Sequence, residues 1–282
     1  MNSVLDLVLI GVSEETATEM RRTVQREMSR LEKLLSRFNP EAETFAANQK
    51  AHNNWTGVSD ALWDILQECE RFNKLTLGYF NIGLGHFKKN AETIPTGISG
   101  GETVYSKPEI VLDYESRRVK FANRFTSLDF GAIGKGLLLK KVKTTLTDLE
   151  IENCFVSFGG SSILTLGKHP SGNAWPVSFR NDNGNSFVFH LNDHAVSISG
   201  ARQGKEQIHH IINPIRLKLE TSSRLVFVQD ECPLRAEVLS TALVAAEEND
   251  FDQVINQFQP QKVSVFIQQK TNELKRIYEY EN

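Results

Sequence analysis

Apolar residues at Met20, Val24, Met28, Leu31 and Leu35 recur at helical steps behind Ser13 and the acidic pair Glu14-Glu15. A hydroxyl cap, two acids at a dipole-favoured end and an apolar stripe together predict a helix from about 14 to 37. Leu62, Ile65, Leu66, Cys69 and Phe72 form a second such face after Ser59, ending near Gly78. Asn39-Pro40 and the polar stretch to Asn54 read as the loop between the two helices. Beyond a Gly-rich connection at Gly97, Gly100 and Gly101, alternation over Glu109 to Leu112 and Arg118 to Phe121 predicts a hairpin. A Gly-punctuated turn after Leu128 then leads into a helix to Leu149, with Leu138, Val142 and Leu146 inward and Lys140, Lys141 and Lys143 outward. Strand-like runs follow at Cys154 to Ser157, Trp175 to Phe179, Phe187 to Leu191, Val196 to Ser199 and Leu225 to Val228. A helix from Leu234 to Glu247 and strands at Val263 to Gln268 and Leu274 to Tyr278 close the chain.

Runs of strands set apart from runs of helices predict an α+β fold, with a largely antiparallel sheet and flanking helices. At roughly 150 residues per domain, the 282 residues allow one domain or two. No repeat or linker divides them, so residues 1–282 read as one domain. Lys plus Arg at 32 against Asp plus Glu at 35 leaves no basic field, which argues against a nucleic-acid partner. Val4 to Val12 is broken by Asp6 and is shorter than the roughly 20 apolar residues of a membrane span. With no transmembrane segment and no export signal in view, the expected location is the cytoplasm. Cys69, Cys154 and Cys232 are odd in number and far apart, which predicts reduced core thiols.

Several clusters carry chemistry. Gly131-Ala132-Ile133-Gly134-Lys135-Gly136 lacks both the GxxxxGK[ST] spacing and the GxGxxG order, yet its N–H groups open a helix where an anion is favoured. A tight turn with a solvated lysine explains the same pattern. Asp129 beside it reads as a ligand or a cap. Gly159-Gly160 lets the backbone approach a ring or phosphate, or simply turns the chain. His209-His210 heads an apolar run, which predicts one ring inward and one outward, the inward one a hydrogen-bonded core residue or a base. Glu237 and Thr241 stand four residues apart on one helix face, where their oxygens suit a hard cation such as magnesium or a helix cap. His190 and His194 have metal-like spacing only on a helix, and they fall on a strand and a turn.

In order along the chain stand Ser36-Arg37-Phe38-Asn39-Pro40 with Asn48, Thr76 to Asn81, Leu128 to Gly136, and Val156 to Gly160 with Trp175. Ser199-Gly200, His210 to Pro214 and Ala236 to Ala242 complete the series. This series resembles the ApbE family of FAD:protein FMN transferases. The most specific stretch is Leu128 to Gly136, similar to the family's "LDLGAIAKG".

The resemblance implies a T-fold-like α+β domain. It also implies magnesium-dependent transfer of FMN from FAD to a Thr or Ser hydroxyl of an acceptor flavoprotein domain, with AMP released. Under it, Glu237, Thr241 and a main-chain carbonyl near Ala132 hold the cation. Lys135, Gly131, Gly134 and Gly136 face the nucleotide, and Gly159 and Gly160 allow its close approach. Ser36, Arg37, Phe38, Asn48, Ser199 and Gly200 belong to the flavin cleft. His210 is the implied base or orienter of the acceptor hydroxyl, with Asp129 and Lys135 in the catalytic set.

The chain departs from the family pattern at chemically loaded places. Glu237, Asn81, Asn213 and Lys140 stand where the family has aspartates, and Ile198 replaces a threonine. Ile215-Arg216-Leu217 replaces "RTG", and the family's strand before the first helix is not recognisable in Met1 to Gly11. These departures predict missing negative charge concentrated at the site. They leave two alternatives: a flavin-binding relative without chemistry, and an FAD pyrophosphatase.

Overall fold

Ser13 Oγ accepts the Thr16 N–H at 3.1 Å, starting the first long helix at the expected cap. The computed structural model describes residues 3–89, 106–180, 186–200, 211–220, 223–269 and 273–282. The connection at Gly97, Gly100 and Gly101 and the pair His209-His210 lie outside the described residues. The first half of the chain gives β1 (Leu5–Ile10), α1 (Glu14–Leu35), α2 (Glu43–Lys50), β2 (Thr56–Gly57), α3 (Asp60–Leu75), α4 (Gly85–Lys89), β3 (Ile110–Asp113), β4 (Arg118–Phe121) and α5 (Gly134–Asp148). Strands β5 (Asn153–Phe158), β6 (Ser162–Leu166), β7 (Trp175–Arg180), β8 (Ser186–Leu191), β9 (Ala195–Gly200), β10 (Ile212–Asn213), β11 (Lys218–Leu219) and β12 (Arg224–Asp230) follow. The chain ends with α6 (Pro233–Ala245), α7 (Phe251–Phe258), β13 (Lys262–Gln268) and β14 (Leu274–Glu281).

Seven strands form one antiparallel sheet in the order β1-β5-β6-β9-β12-β13-β14. Alternation sends Cys154, Val156, Phe158, Val226 and Val228 into the main core with the helices. The opposite face carries Ile163, Val196, Ile198 and Phe227, covered by the β7–β8 hairpin through Val177, Phe179, Phe189 and Leu191. Trp175 ties the hairpin down by donating its indole N–H to the Leu166 carbonyl at 2.9 Å.

Helix α6 is buried nearly all round, packed between α5 and strands β9 and β12. Such a helix places even its polar residues inside. Glu237 and Ser240 are therefore core residues.

The structure corrects several readings. The stretch expected as a loop holds α2, where buried Thr44 donates to the Leu34 carbonyl at 2.7 Å. The start of the chain does form a strand: β1 pairs with β5 from Leu5–Phe158 to Ile10–Asn153. Strand β6, buried at all five positions, has no alternation to reveal it. Cys69 and Cys154 are buried, whereas Cys232 is partly exposed at the start of α6. Among the described residues no helix is long and apolar enough to cross a membrane.

Candidate active site

A cavity of about 660 Å³ caps one end of the large sheet. The sheet contributes Ser3 ahead of β1, the β5–β6 turn, Ser199 and Gly200 of β9, Leu225 and Phe227 of β12, Gln268 of β13 and Leu274 of β14. On the helical side stand Lys88, Asp129, Gly131, Ala132, Lys135, Glu237 and Thr241. Phe179 and Phe187 line the hairpin side. The charged side chains all stand on the helical side, where Tyr79 and Phe80 also line the cavity, while Phe179, Phe187 and Phe227 line the opposite side.

Asp129 is held from three directions. Its Oδ2 lies 2.5 Å from Arg37 Nε, and its Oδ1 takes Lys88 Nζ at 2.8 Å and the Gly131 N–H at 2.9 Å. The Arg37 contact is an ion pair whose N–H is not aligned on the oxygen. Burial alone would raise the carboxyl, but the Lys88 ammonium, the Arg37 guanidinium and the Gly131 N–H outweigh it and hold it below its ordinary value. Asn48 sets the segment's position by accepting from the Leu128 N–H at 2.7 Å and donating to its carbonyl at 3.0 Å.

Lys135 and Glu237 form the second charged centre. The ammonium meets Glu237 Oε1 at 3.0 Å, Ser161 Oγ at 3.1 Å and Ser162 Oγ at 2.6 Å. Those three contacts account for its three N–H donors. The Gly136 N–H donates to Glu237 Oε2. Burial raises the Glu237 carboxyl, against the pull of Lys135 and that N–H.

A chain of hydroxyls leads from the core to the cavity. Ser240 Oγ donates its one hydrogen to the Glu237 carbonyl at 3.1 Å, so Ser197 at 3.0 Å and Ser199 at 2.8 Å must be donors to it. With the Ser199 hydrogen spent, the 3.4 Å contact to Thr241 needs Thr241 as donor. Thr241 is left with an acceptor oxygen.

The other expected residues divide. Gly159 and Gly160 line the cavity at φ +64° and +65°, the left-handed region, so the turn itself demands glycine. Gly200 lets β9 close on β12, since a Cβ would fall 2.3 Å from the Arg224 carbonyl oxygen. Ser36, Arg37, Phe38, Asn48, Gly134 and Gly136 are not in the lining among the described residues. Ser36 Oγ accepts the Phe38 and Asn39 N–H groups, Phe38 is exposed beneath the Arg37 guanidinium, and Gly136 allows α5 to approach α6. His210 lies outside the described residues, while His190 sits on β8 and His194 on the turn before β9. Sequence reasoning missed Lys88, which carries no motif. It also missed the hairpin phenylalanines, whose alternation was read only as strand.

The ApbE family description matches residues 1–267. The chain belongs to the ApbE family. One ApbE relative, an FAD:protein FMN transferase of Chlamydia trachomatis serovar D, is 25% identical over 253 residues, covering 83% of this chain and 78% of that protein. An FAD:protein FMN transferase of Klebsiella pneumoniae is 23% identical over 227 residues, covering 73% and 65%. The flavin transferase ApbE from Vibrio cholerae shares the fold with a TM-score of 0.77 at 20% identity, over 99% of this chain and 94% of that one.

Set against the ApbE pattern, the expectation of missing charge concentrated at the site needs correction. Of Asn81, Asn213 and Lys140, only Asn81 lines the cavity. Asn213 is buried against the end of α6, and Lys140 pairs at the surface with Glu68 at 2.9 Å.

Proposed function

We propose that this ApbE-family chain transfers FMN from FAD to a Thr or Ser hydroxyl of a flavoprotein domain, using magnesium and releasing AMP. One observation carries the reading: a single cavity joins an aromatic flank to the Gly131 turn and the Glu237–Thr241 face. Its volume, about 660 Å³, lies within the range of small-molecule sites. Relatives named for this activity support it.

Among the described residues no group of three or more His, Cys, Asp or Glu side chains stands together, so a cation here would rest on one carboxylate and neutral oxygens. Each Glu237 oxygen keeps a lone pair beyond its bond to Lys135 or Gly136, Thr241 offers an acceptor oxygen, and Ala132 lines the same cavity. Magnesium held by Glu237, Thr241 and the Ala132 carbonyl would polarise a phosphoryl oxygen and offset its charge. Lys135 keeps the Glu237 carboxylate balanced and oriented. The phenylalanines offer faces to the flavin ring. In the transfer, the acceptor oxygen bonds to the FMN-side phosphorus while the P–O bond to AMP breaks. AMP leaves with the bridging oxygen and its electron pair, and the hydroxyl proton passes to a base, for which His210 is the candidate.

Incubation with FAD, magnesium and a flavinylation-motif acceptor is expected to release AMP and to add the mass of FMN less water to the acceptor. An unmodified acceptor across metals and pH would overturn the reading. One observation favours binding without turnover: Lys135 and the Gly136 N–H already engage both Glu237 oxygens. That alternative predicts saturable flavin quenching with no AMP. A pyrophosphatase would instead leave FMN in solution.

A further inference from the structure

Lys135, the lysine of the Gly-rich turn, spends its three donors on Ser161, Ser162 and Glu237. Lys88 does not. Among the described residues, Asp129 Oδ1 at 2.8 Å is the one acceptor bonded to its ammonium, so two of its three N–H donors are uncommitted there. Asp129 does not depend on Lys88 for neutralisation, because Arg37 pairs with its other oxygen from outside the cavity lining. Arg37, Lys88 and Asp129 together carry one positive charge, whereas Lys135 and Glu237 cancel. The surplus charge faces the cavity on Lys88.

The glycine beside it keeps the approach open. A Cβ at Gly131 would stand 3.6 Å from Lys88 Nζ and 3.0 Å from Asp129 Oδ1, so a side chain there would crowd both groups. We propose that Lys88 is a phosphate-binding residue of this cavity, donating to a phosphoryl oxygen of the substrate while Arg37 keeps Asp129 paired. The assignment to a dinucleotide rests on the function proposed above. The ammonium–phosphate contact itself does not.

The test compares inorganic pyrophosphate, FAD and riboflavin, with affinity read from thermal shift for the first and flavin fluorescence quenching for the other two. In Lys88→Met, pyrophosphate and FAD are expected to bind about tenfold or more weakly, the scale of one lost charge-assisted hydrogen bond, with riboflavin unchanged. Lys88→Arg is expected to restore most of the loss. Gly131→Ala is expected to weaken pyrophosphate and FAD with Lys88 still in place. Wild-type FAD affinity should also fall with added salt more steeply than that of Lys88→Met, a readout that unrelated packing damage would not move. Equal affinities for pyrophosphate and FAD in wild type and Lys88→Met would overturn the proposal. Lys88-dependent pyrophosphate binding without any FAD binding would uphold it and overturn the dinucleotide reading instead.

Discussion

Asn213 donates its side-chain amide to the Ala245 carbonyl at 2.8 Å, while its Oδ1 accepts the N–H groups of Ile215 and Arg216, each at 3.0 Å. The amide is the one side chain of this shape that both donates and accepts. It closes a turn and satisfies a carbonyl at the end of α6. Asn213→Asp would return the acid of the family pattern but set a carboxylate oxygen against that carbonyl. The expected cost is about 1–3 kcal/mol, from a lost buried bond and an unsatisfied carbonyl. Chemical denaturation checks it. A neutral or stabilising result would show that this position concerns charge rather than hydrogen-bond polarity.

The Asp129 cluster predicts a pH dependence with a definite sign. Facing the carboxylate are Arg37 at the end of α1, Lys88 of α4 and the Gly131 N–H. They hold it below its ordinary value of 3.8, so their contribution is complete above that value and is lost as pH falls through the folded one. Asp129→Asn is expected to cost about 3 kcal/mol near neutrality, because it leaves two cations without their partner. Wild type and variant should converge in stability on acidification below 3.8. A gap that stays constant with pH would refute this.

At both sites the motif residue was legible in the sequence and its pairings were not. Periodicity revealed α1 and α3 because their apolar faces run over several turns, and alternation revealed strands with one covered face. It was blind to α2, too short to repeat a pattern, and to β6, buried at every position. Motif reading brought Asp129, Lys135, Glu237 and Thr241 to one cavity. Asn48 and Arg37 belong to the same motif set, yet they work from behind, on the Leu128 backbone and the Asp129 carboxylate. Lys88 meets Asp129 across 41 residues of chain, and nothing local announces the pair.

Two glycines should respond differently to alanine. At Gly136 a Cβ would lie 2.8 Å from Leu234 Cα and 3.1 Å from the Pro233 carbonyl oxygen, atoms of the α6 backbone that cannot step aside. Gly160 has nothing within 4 Å, and only its φ of +65° resists a side chain. Gly160→Ala is expected to cost about 1–2 kcal/mol of local strain. Gly136→Ala should cost about 3 kcal/mol, at the upper end of overpacking, because the α5–α6 contact must open. Thermal unfolding of the pair decides. Equal losses would mean that the helices yield freely.

The thiols should divide by burial. Cys69 is raised well above the ordinary thiol value by burial and by the neighbouring Glu68 charge, and burial pushes Cys154 up to about 12. Neither offers thiolate to reagent near pH 8. Cys232 is partly exposed. Titration with an aromatic disulfide is expected to label Cys232 in the native protein and all three cysteines after unfolding. Rapid native labelling of Cys154 would show that β5 opens locally.

The hydroxyl chain gives a prediction about Thr241. Ser240 receives the Ser199 hydrogen, and this obliges Thr241 to donate its own hydrogen to Ser199, which leaves the Thr241 oxygen as an acceptor on the cavity lining. Ser240→Ala releases the Ser199 hydrogen, which can then point at Thr241 and reverse the last bond. The Thr241 hydrogen would turn into the cavity and oppose a cation there. On the cation site proposed above, the expected outcome is a several-fold weaker apparent affinity for magnesium, about 1 kcal/mol for one misdirected hydroxyl. FAD binding measured without metal should be unchanged. Ser199→Ala leaves the Thr241 hydrogen without its acceptor and should weaken magnesium in the same direction. Manganese binding followed by its paramagnetic signal reads the effect without turnover. Unchanged metal affinity in both variants would mean that Thr241 orients itself without the chain behind it.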